Sequence, residues 1–398
     1  MADIVARHVR HRASGPPRRV ALLLAALLVA ASLAGCASRV YTPFLPGYDS
    51  GRAPLVRIAT SQFDYIDNWP HPRYPIAGEE AHYWIRSLAI PSVGENGQAG
   101  NLVTARYYQG KRAGAKPLVI VLPIWGIHDY PSNTISAGLR RRSAGAINVL
   151  QILGERPLFD WDALDDVESE AEFFRMLDRM IDRFVATVVD IRHLVDWAGT
   201  QPDIDRERIG LIGFSMSALV ASVALANEPR FAAGILVMGG ADLHEILAAC
   251  GHEIGDARER VLDQLDWSLD EFKRELQHQL AGINPASFAG MADPSRVLII
   301  EAAKDTCVPK SARDRLWRAF AGPERIAYLY DHRMAFLAMT FLGGYSLQRE
   351  VYRFLDGAFV KYGNRLLLTQ DDGGGDGAAM PAEPSGTRRA DGNGEGDD

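Results

Sequence analysis

The chain has 398 residues, of which 47% are hydrophobic and 23% charged, and its formal net charge at pH 7 is −7. This composition is typical of a globular protein with a substantial core and excludes a chain that is disordered throughout. No basic stripe of the kind that binds phosphate backbones occurs in the sequence, which argues against a nucleic-acid partner.

The first 35 residues are predicted to be an export signal and not part of the fold. Arginines precede an uncharged run rich in Leu and Ala over residues 20–35, which is short for a membrane span. The run ends in Leu33-Ala34-Gly35-Cys36, which resembles a bacterial lipoprotein signal. That resemblance implies fatty acyl chains such as palmitate on Cys36, and Ala37 is similar to the residue that directs lipoproteins to the outer membrane, facing the periplasm. The alternative is a buried N-terminal helix with a cysteine there by chance.

From residue 101 onward, extended segments alternate with segments of helical spacing. This order predicts an α/β fold with a mostly parallel central sheet and helices on both faces. The longest predicted helix covers residues 168–197, and antiparallel edge strands are predicted at 57–66 and 81–90. The other predicted strands are NLVTARYY (101–108), PLVIVLPI (117–124), AINVLQIL (146–153), RIGLIGF (208–214), FAAGILVM (231–238), RVLIIEAA (296–303) and RIAYLY (325–330).

Composition and spacing also predict how the chain is organised. Residues 36–100 are expected to be a linker with edge strands, and residues 101–370 one domain. Within that domain, residues 240–293 have helical spacing without a good strand, which predicts a helical cap insertion. Residues 371–398 are rich in Gly, Asp and Pro with almost no large apolar side chain, so a disordered acidic tail is expected.

Candidate site residues follow several predicted strands at their carboxyl ends, where ligands bind in sheets of this kind. These residues are Trp125 with Gly126, Ser215, Asp305 and His332. The order serine, acid, histidine after successive strands resembles the α/β-hydrolase family. The segment Gly213-Phe214-Ser215-Met216-Ser217 is similar to the nucleophile elbow of that family, with Ser217 in place of its last glycine.

The resemblance implies a role for each of these residues. Ser215 would attack an acyl carbon, His332 would act as general base and then general acid, and Asp305 would orient the histidine. Asp242 is the alternative acid, because it follows the preceding strand, where some relatives keep the acid.

An oxyanion hole needs two backbone N–H donors. The first is expected from Met216, at the start of the helix after the elbow. The second is expected from Trp125, in a loop where relatives commonly have His-Gly. Ile124 is the alternative, since Pro123 has no N–H to donate.

Two cysteines remain besides Cys36, namely Cys250 and Cys307. An oxidising periplasm would allow them to pair if the fold brings them together. The expectation that we favour is two separate buried thiols.

The two resemblances together imply an esterase- or lipase-like serine hydrolase that cleaves an ester, thioester or related acyl bond in the cell envelope. Its expected partners are a small-molecule acyl substrate and, through the anchor at Cys36, a membrane. Neither a metal nor a cofactor is expected, because no phosphate-binding, dinucleotide or metalloprotease motif occurs. Two alternatives stay open: a non-catalytic envelope protein that uses the scaffold to bind a lipid or a partner, and an acyltransferase.

Overall fold

The computed structural model describes residues 39–48, 61–65, 72, 74–92, 102–124, 130–154, 158–164, 167–335, 345–360 and 366–368. All of them belong to one compact unit that ends at Leu368. The predicted signal segment with Cys36, the loop residue Trp125 and the tail from residue 371 lie outside the described residues.

A ten-stranded sheet runs through the described part of the chain, with the strand order β1-β10-β9-β8-β7-β5-β6-β4-β3-β2. The strands from β10 across to β6 are parallel, and the pairs outside them are antiparallel. The strands are β1 (Arg39–Thr42), β2 (Ile76–Glu80), β3 (Tyr83–Pro91), β4 (Leu102–Gly110), β5 (Lys116–Val121), β6 (Asn148–Ile152), β7 (Ile204–Phe214), β8 (Phe231–Val237), β9 (Val297–Ala302) and β10 (Glu324–Tyr328).

Helices cover both faces of the sheet. On one face lie α2 (Glu170–Gly199), α3 (Met216–Asn227) and α8 (Lys310–Ala319), and on the other lie α1 (Tyr130–Ser143) and α9 (Tyr345–Phe359). An apolar core lies on each face of the sheet, and strand β5 contributes to both. Leu118 and Ile120 pack into the core under α2, α3 and α8, while Val119 and Val121 pack into the core under α1 and α9. All six residues of β5 are buried, as expected of a parallel strand covered by helices on both faces, which confirms the predicted α/β fold.

The strands predicted between residues 101 and 330 are all present, with small differences at their ends. The strand predicted at 81–90 is also present as β3. The prediction for 57–66 is wrong at Ser61–Phe63, which form a short 3-10 helix with Phe63 buried edge-on against Phe288, while residues 57–60 and 66 lie outside the described residues. Sequence reasoning missed β1, a four-residue edge strand whose side chains are mostly exposed and therefore show no alternating pattern.

Helix α2 begins two residues after the predicted start, and its first turn explains the boundary. The Ser169 side chain accepts a hydrogen bond from the Glu172 N–H, which satisfies one of the free donors at the helix start. With 30 residues the helix is about 45 Å long at 1.5 Å per residue. No helix in the described ranges is both long and apolar enough to cross a membrane.

Between β8 and β9 the chain is helical, as predicted. We call this segment the helical insertion, and it consists of α4 (Leu243–Ala249), α5 (His252–Leu265), α6 (Leu269–Gln279) and α7 (Pro285–Phe288). Its apolar side chains, such as Leu247, Val261 and Leu276, meet Phe173 and Met176 of α2 around a small apolar cavity. That the insertion acts as a cap over Ser215 stays a prediction.

A disulfide joins Cys250 to Cys307, so the expectation of two separate thiols is wrong. Strands β8 and β9 are parallel neighbours, and the segments that leave their carboxyl ends are therefore adjacent, although 57 positions separate the two cysteines in sequence. Closing a loop of that length stabilises the fold by about 4 kcal/mol in the chain-entropy model. The bond ties the end of α4 to the turn that follows β9.

Candidate active site

Ser215 lies on a sharp turn between the end of β7 and the start of α3. Its backbone has φ 49° and ψ −112°, a conformation that costs a non-glycine residue roughly 1–3 kcal/mol. The surrounding main chain holds it there, because the Ser215 N–H donates to the Val237 carbonyl at 2.7 Å and the Ser215 carbonyl accepts from the Ala218 N–H at 3.0 Å. The turn has the geometry expected of a nucleophile elbow.

Gly213 allows the strand and the helix of this turn to come close together. A Cβ atom at position 213 would lie 2.5 Å from the Ser217 carbonyl oxygen and 2.9 Å from the Ala221 Cβ. Both distances are too short for real contacts, so a side chain at position 213 would force β7 and α3 apart.

Ser217, which stands where the elbow pattern has its last glycine, fits without opening the turn. Its side chain is fully buried, and its hydroxyl accepts a hydrogen bond from the Phe214 N–H at 2.7 Å and donates to the Phe214 carbonyl at 3.0 Å. A glycine could form neither side-chain bond. The departure from the family pattern therefore adds restraints next to Ser215.

The structure brings Ser215, His332 and Asp305 together, although they lie far apart in sequence. Ser215 Oγ is 3.0 Å from His332 Nε2, and His332 Nδ1 is 2.6 Å from Asp305 Oδ2. An ionised carboxylate only accepts hydrogen bonds, so Nδ1 carries the proton and Nε2 is left to accept the Ser215 hydroxyl proton. This is the arrangement that a serine nucleophile and its base require.

Main-chain donors fix the carboxylate of Asp305. Its side chain is fully buried, and Oδ1 accepts hydrogen bonds from the N–H groups of Cys307 and Val308, both at 2.9 Å. This leaves Oδ2 directed at His332. The turn that carries His332 is also held, because the side chain of the preceding residue, Asp331, accepts a hydrogen bond from the Met334 N–H at 2.8 Å and so caps this turn.

Asp242, the alternative acid, is engaged elsewhere. Its Oδ1 accepts a hydrogen bond from Asn284 Nδ2 at 2.9 Å, and Oδ2 faces Arg315 Nε at 3.8 Å. Asp305 is therefore the carboxylate that reaches His332, and Asp242 links the start of the helical insertion to Asn284.

One of the two predicted oxyanion donors lies within the described residues. Met216 is the first residue of α3, where a backbone N–H has no acceptor inside the helix and the helix dipole favours negative charge. Trp125 lies outside the described residues, so its role stays a prediction. The strand that leads to it is held in place, since the Leu122 N–H donates to the Ile212 carbonyl and the Leu122 carbonyl accepts from Ser132 Oγ.

Two features next to the acid differ from what the sequence led us to expect. The Cys250–Cys307 pairing was considered but not favoured, and the buried Arg313, which donates to the main chain around Asp305, was missed. For Arg313 the sequence shows only an arginine at a helical position shortly after the acid. Nothing distinguishes such an arginine from a surface residue until the fold is known. Across the residues that the structure describes, no three His, Cys, Asp or Glu side chains are grouped so as to hold a metal ion.

Among comparisons with known proteins, a match to a solved structure agrees with this fold. No family model matches the chain. Two uncharacterized proteins of Mycobacterium tuberculosis are 26% identical over 203 residues, which is 51% of this chain and only 40% of each relative. Among solved structures, the acetyl xylan esterase of a Paenibacillus species matches with a TM-score of 0.54 and 16% identity over 78% of this chain and 91% of the esterase.

A second acetyl xylan esterase, from a Thermoanaerobacterium species, matches with a TM-score of 0.49 and 18% identity over 69% of this chain and 87% of its own. The strand order, the elbow at Ser215 and the match to the Paenibacillus structure define an α/β-hydrolase fold. The predicted fold class is therefore confirmed.

Proposed function

We propose that the protein is a serine hydrolase that cleaves an ester or related acyl bond through an acyl-enzyme intermediate. The observation that carries this proposal is the continuous hydrogen-bond chain from Asp305 through His332 to Ser215, with Ser215 on a strained strand-to-helix turn. A serine hydroxyl is a weak nucleophile without a base in contact, and here the base and its orienting carboxylate are both in place.

The first half of the reaction forms the acyl-enzyme. Ser215 Oγ attacks the acyl carbon while its proton passes to His332 Nε2, and the carboxylate of Asp305 stabilises the imidazolium that results. His332 then returns this proton to the departing alcohol oxygen as the carbon–oxygen bond breaks. The acyl group is left on Ser215 as an ester.

The second half releases the acid. A water molecule gives a proton to His332 Nε2 and attacks the acyl carbon, and the proton then goes to Ser215 Oγ as the acyl–serine bond breaks. In both halves the N–H of Met216 would stabilise the oxyanion, with the N–H of Trp125 as the proposed second donor. The reaction consumes only the substrate and water.

We further propose that the substrate is a small molecule that carries a short acyl ester. The acetyl xylan esterase of the Paenibacillus species has the same fold and acts, by its name, on an acetyl ester. We propose only a shared acyl bond and not a shared alcohol, because the two chains are 16% identical.

The direct test is labelling of the purified protein with a fluorophosphonate probe, followed by mass spectrometry of the peptides. We expect one adduct, on Ser215, because the probe reacts with a serine whose proton is removed by a neighbouring base. The His332→Ala variant should lose the adduct while it stays folded.

The control is a variant that changes a histidine outside the hydrogen-bond chain. His244→Ala is suitable, since His244 lies on α4 and faces Glu245. A well-folded wild-type protein with no adduct on Ser215 would contradict the proposal and favour the non-catalytic binding protein. Turnover only in the presence of an alcohol acceptor would favour the acyltransferase.

We also propose that the protein is exported and anchored to the cell envelope by lipid on Cys36, on the periplasmic side of the outer membrane. The residue pattern before Cys36 supports this. The Cys250–Cys307 disulfide supports it independently, because such bonds persist in oxidising compartments such as the periplasm.

We expect cells that express the protein and are fed a palmitate analogue to incorporate the label into the wild-type chain and not into a Cys36→Ser variant. A Cys307→Ser variant serves as the control, since it removes a cysteine that we expect to carry no lipid. Equal labelling of wild type and Cys36→Ser would refute the anchor.

A further inference from the structure

We propose that Arg313 is a positioning residue for the acid of the triad, an inference that rests on the proposed function. Arg313 lies on α8, shortly after the turn over residues 303–308, which we call the acid turn because it carries Asp305. The Arg313 side chain is only 3% exposed. Burying a guanidinium is unfavourable unless its charge and its N–H groups are satisfied, so its partners identify its role.

The guanidinium binds the acid turn at three main-chain oxygens. Nη1 donates to the carbonyl of Val308 at 2.6 Å and to the carbonyl of Asp305 at 3.3 Å. Nη2 donates to the carbonyl of Ala303 at 3.2 Å. A planar fork of donors can hold several carbonyls in one arrangement, which the single ammonium group of a lysine cannot reproduce.

A buried carboxylate balances the charge of Arg313. Glu301 on β9 is 5% exposed, and its Oε2 faces Arg313 Nε at 3.6 Å. Arg325 binds the same carboxylate and also that of Asp314. Burial by itself lowers the pKa of Arg325, but the carboxylates of Glu301 and Asp314 raise this pKa above its ordinary value, so Arg325 stays charged.

The acid turn transmits the position of Arg313 to the reacting groups. Val308 is held at both ends of its backbone, since its N–H donates to Asp305 Oδ1 and its carbonyl accepts from Arg313. A movement of the turn therefore moves the carboxylate that contacts His332 at 2.6 Å. Arg313 touches neither Ser215 nor His332 in this chain of contacts and acts through Asp305.

The disulfide restrains the same turn from another side. Cys307 is bonded to Cys250 at the end of α4, and the Cys307 N–H also donates to Asp305 Oδ1. With this covalent link in place, loss of the guanidinium should loosen the acid turn without unfolding it.

The test compares Arg313→Lys and Arg313→Met with the wild type in hydrolysis of an aryl acetate. A misplacement of about 1 Å costs about 100-fold in rate, so we expect kcat to fall by roughly 10- to 100-fold in Arg313→Met. Arg313→Lys should recover part of this loss, and KM should change little in both variants. The acid limb of the pH profile of kcat/KM should move to lower pH, because a displaced carboxylate stabilises the imidazolium less.

Arg192 offers a matched control for a purely structural effect. It also donates to a main-chain carbonyl, that of Phe63 at 2.6 Å, and its Nε also faces a buried glutamate, Glu228, at 3.6 Å. We expect Arg192→Lys and Arg192→Met to lower the midpoint of denaturant unfolding while kcat and the pH profile stay unchanged.

The inference is overturned if the Arg313 variants lose stability as the Arg192 variants do and keep the kcat and pH profile of the wild type. If Arg313→Met does not fold, the comparison of Arg313→Lys with Arg192→Lys decides. A wild-type protein that neither hydrolyses aryl esters nor reacts with the fluorophosphonate would overturn the proposed function itself. An active wild type with insensitive Arg313 variants would overturn only this inference.

Discussion

The Ser215→Ala variant is expected to lose ester hydrolysis almost completely. Removing a serine nucleophile that acts with a histidine lowers kcat by ~10⁴- to 10⁶-fold. The loss should appear in kcat and not in KM, because Oγ forms its bond to the acyl carbon only as the reaction proceeds. The measurement is steady-state hydrolysis of an aryl acetate, and the variant must also fail to take up the fluorophosphonate label.

Ser222→Ala is the matched control on the same helix. The Ser222 hydroxyl is buried and donates to the Ala218 carbonyl at 2.6 Å, so its loss removes one intrahelical side-chain bond and leaves the elbow intact. We expect its kcat to stay within about two-fold of the wild type, because the lost bond does not involve the elbow or the triad. The variant should lose only about 1 kcal/mol of stability, the usual contribution of a neutral hydrogen bond. Comparable hydrolysis by Ser215→Ala and the wild type would mean that Ser215 is not the nucleophile.

The Asp305→Asn variant is expected to fold and to be about 10⁴-fold slower in kcat. The amide oxygen can still accept from the N–H groups of Cys307 and Val308, so the turn should keep its shape. The amide nitrogen would then face His332 Nδ1 and donate to it. This forces the proton onto Nε2, where the histidine can no longer accept the proton of Ser215.

Asp242→Asn is the control for this prediction, because Asp242 was the alternative acid. Its carboxylate contacts Asn284 and lies 3.8 Å from the exposed Arg315, so its replacement should leave kcat almost unchanged. The same kinetic assay, with circular dichroism to establish folding, measures both variants. If Asp242→Asn were the slower of the two, the assignment of Asp305 as the acid would have to be withdrawn.

Much of this fold can be predicted from local sequence, because its elements are built from local patterns. The continuous apolar segment within residues 117–124 predicts a strand buried on both faces, and the spacing of apolar residues in 168–197 predicts an amphipathic helix. The short edge strand β1 was missed, since its stability comes from pairing with β10 and not from an apolar pattern of its own.

The residues of the candidate site could be predicted from the sequence for a related reason. Residues that follow parallel strands at their carboxyl ends must lie along one edge of the sheet, whatever the order of the strands. This singled out Ser215, Asp305 and His332 from the sequence. The sequence favoured Asp305 as the acid but left Asp242 as an alternative, because both follow strands that end at that edge.

The sequence by itself therefore determined the elements, the α/β class and the small group of residues from which a site could be built. Tertiary structure decided the contacts across long separations. It placed Ser215 Oγ 3.0 Å from His332, 117 positions away, and paired His332 with Asp305 and not with Asp242. It also formed the Cys250–Cys307 bond and the hydrogen bonds from Arg313 to the acid turn. Backbone propensity and apolar periodicity act over a few residues, whereas these contacts depend on which strands become neighbours in the sheet and on the direction in which each turn leaves its strand.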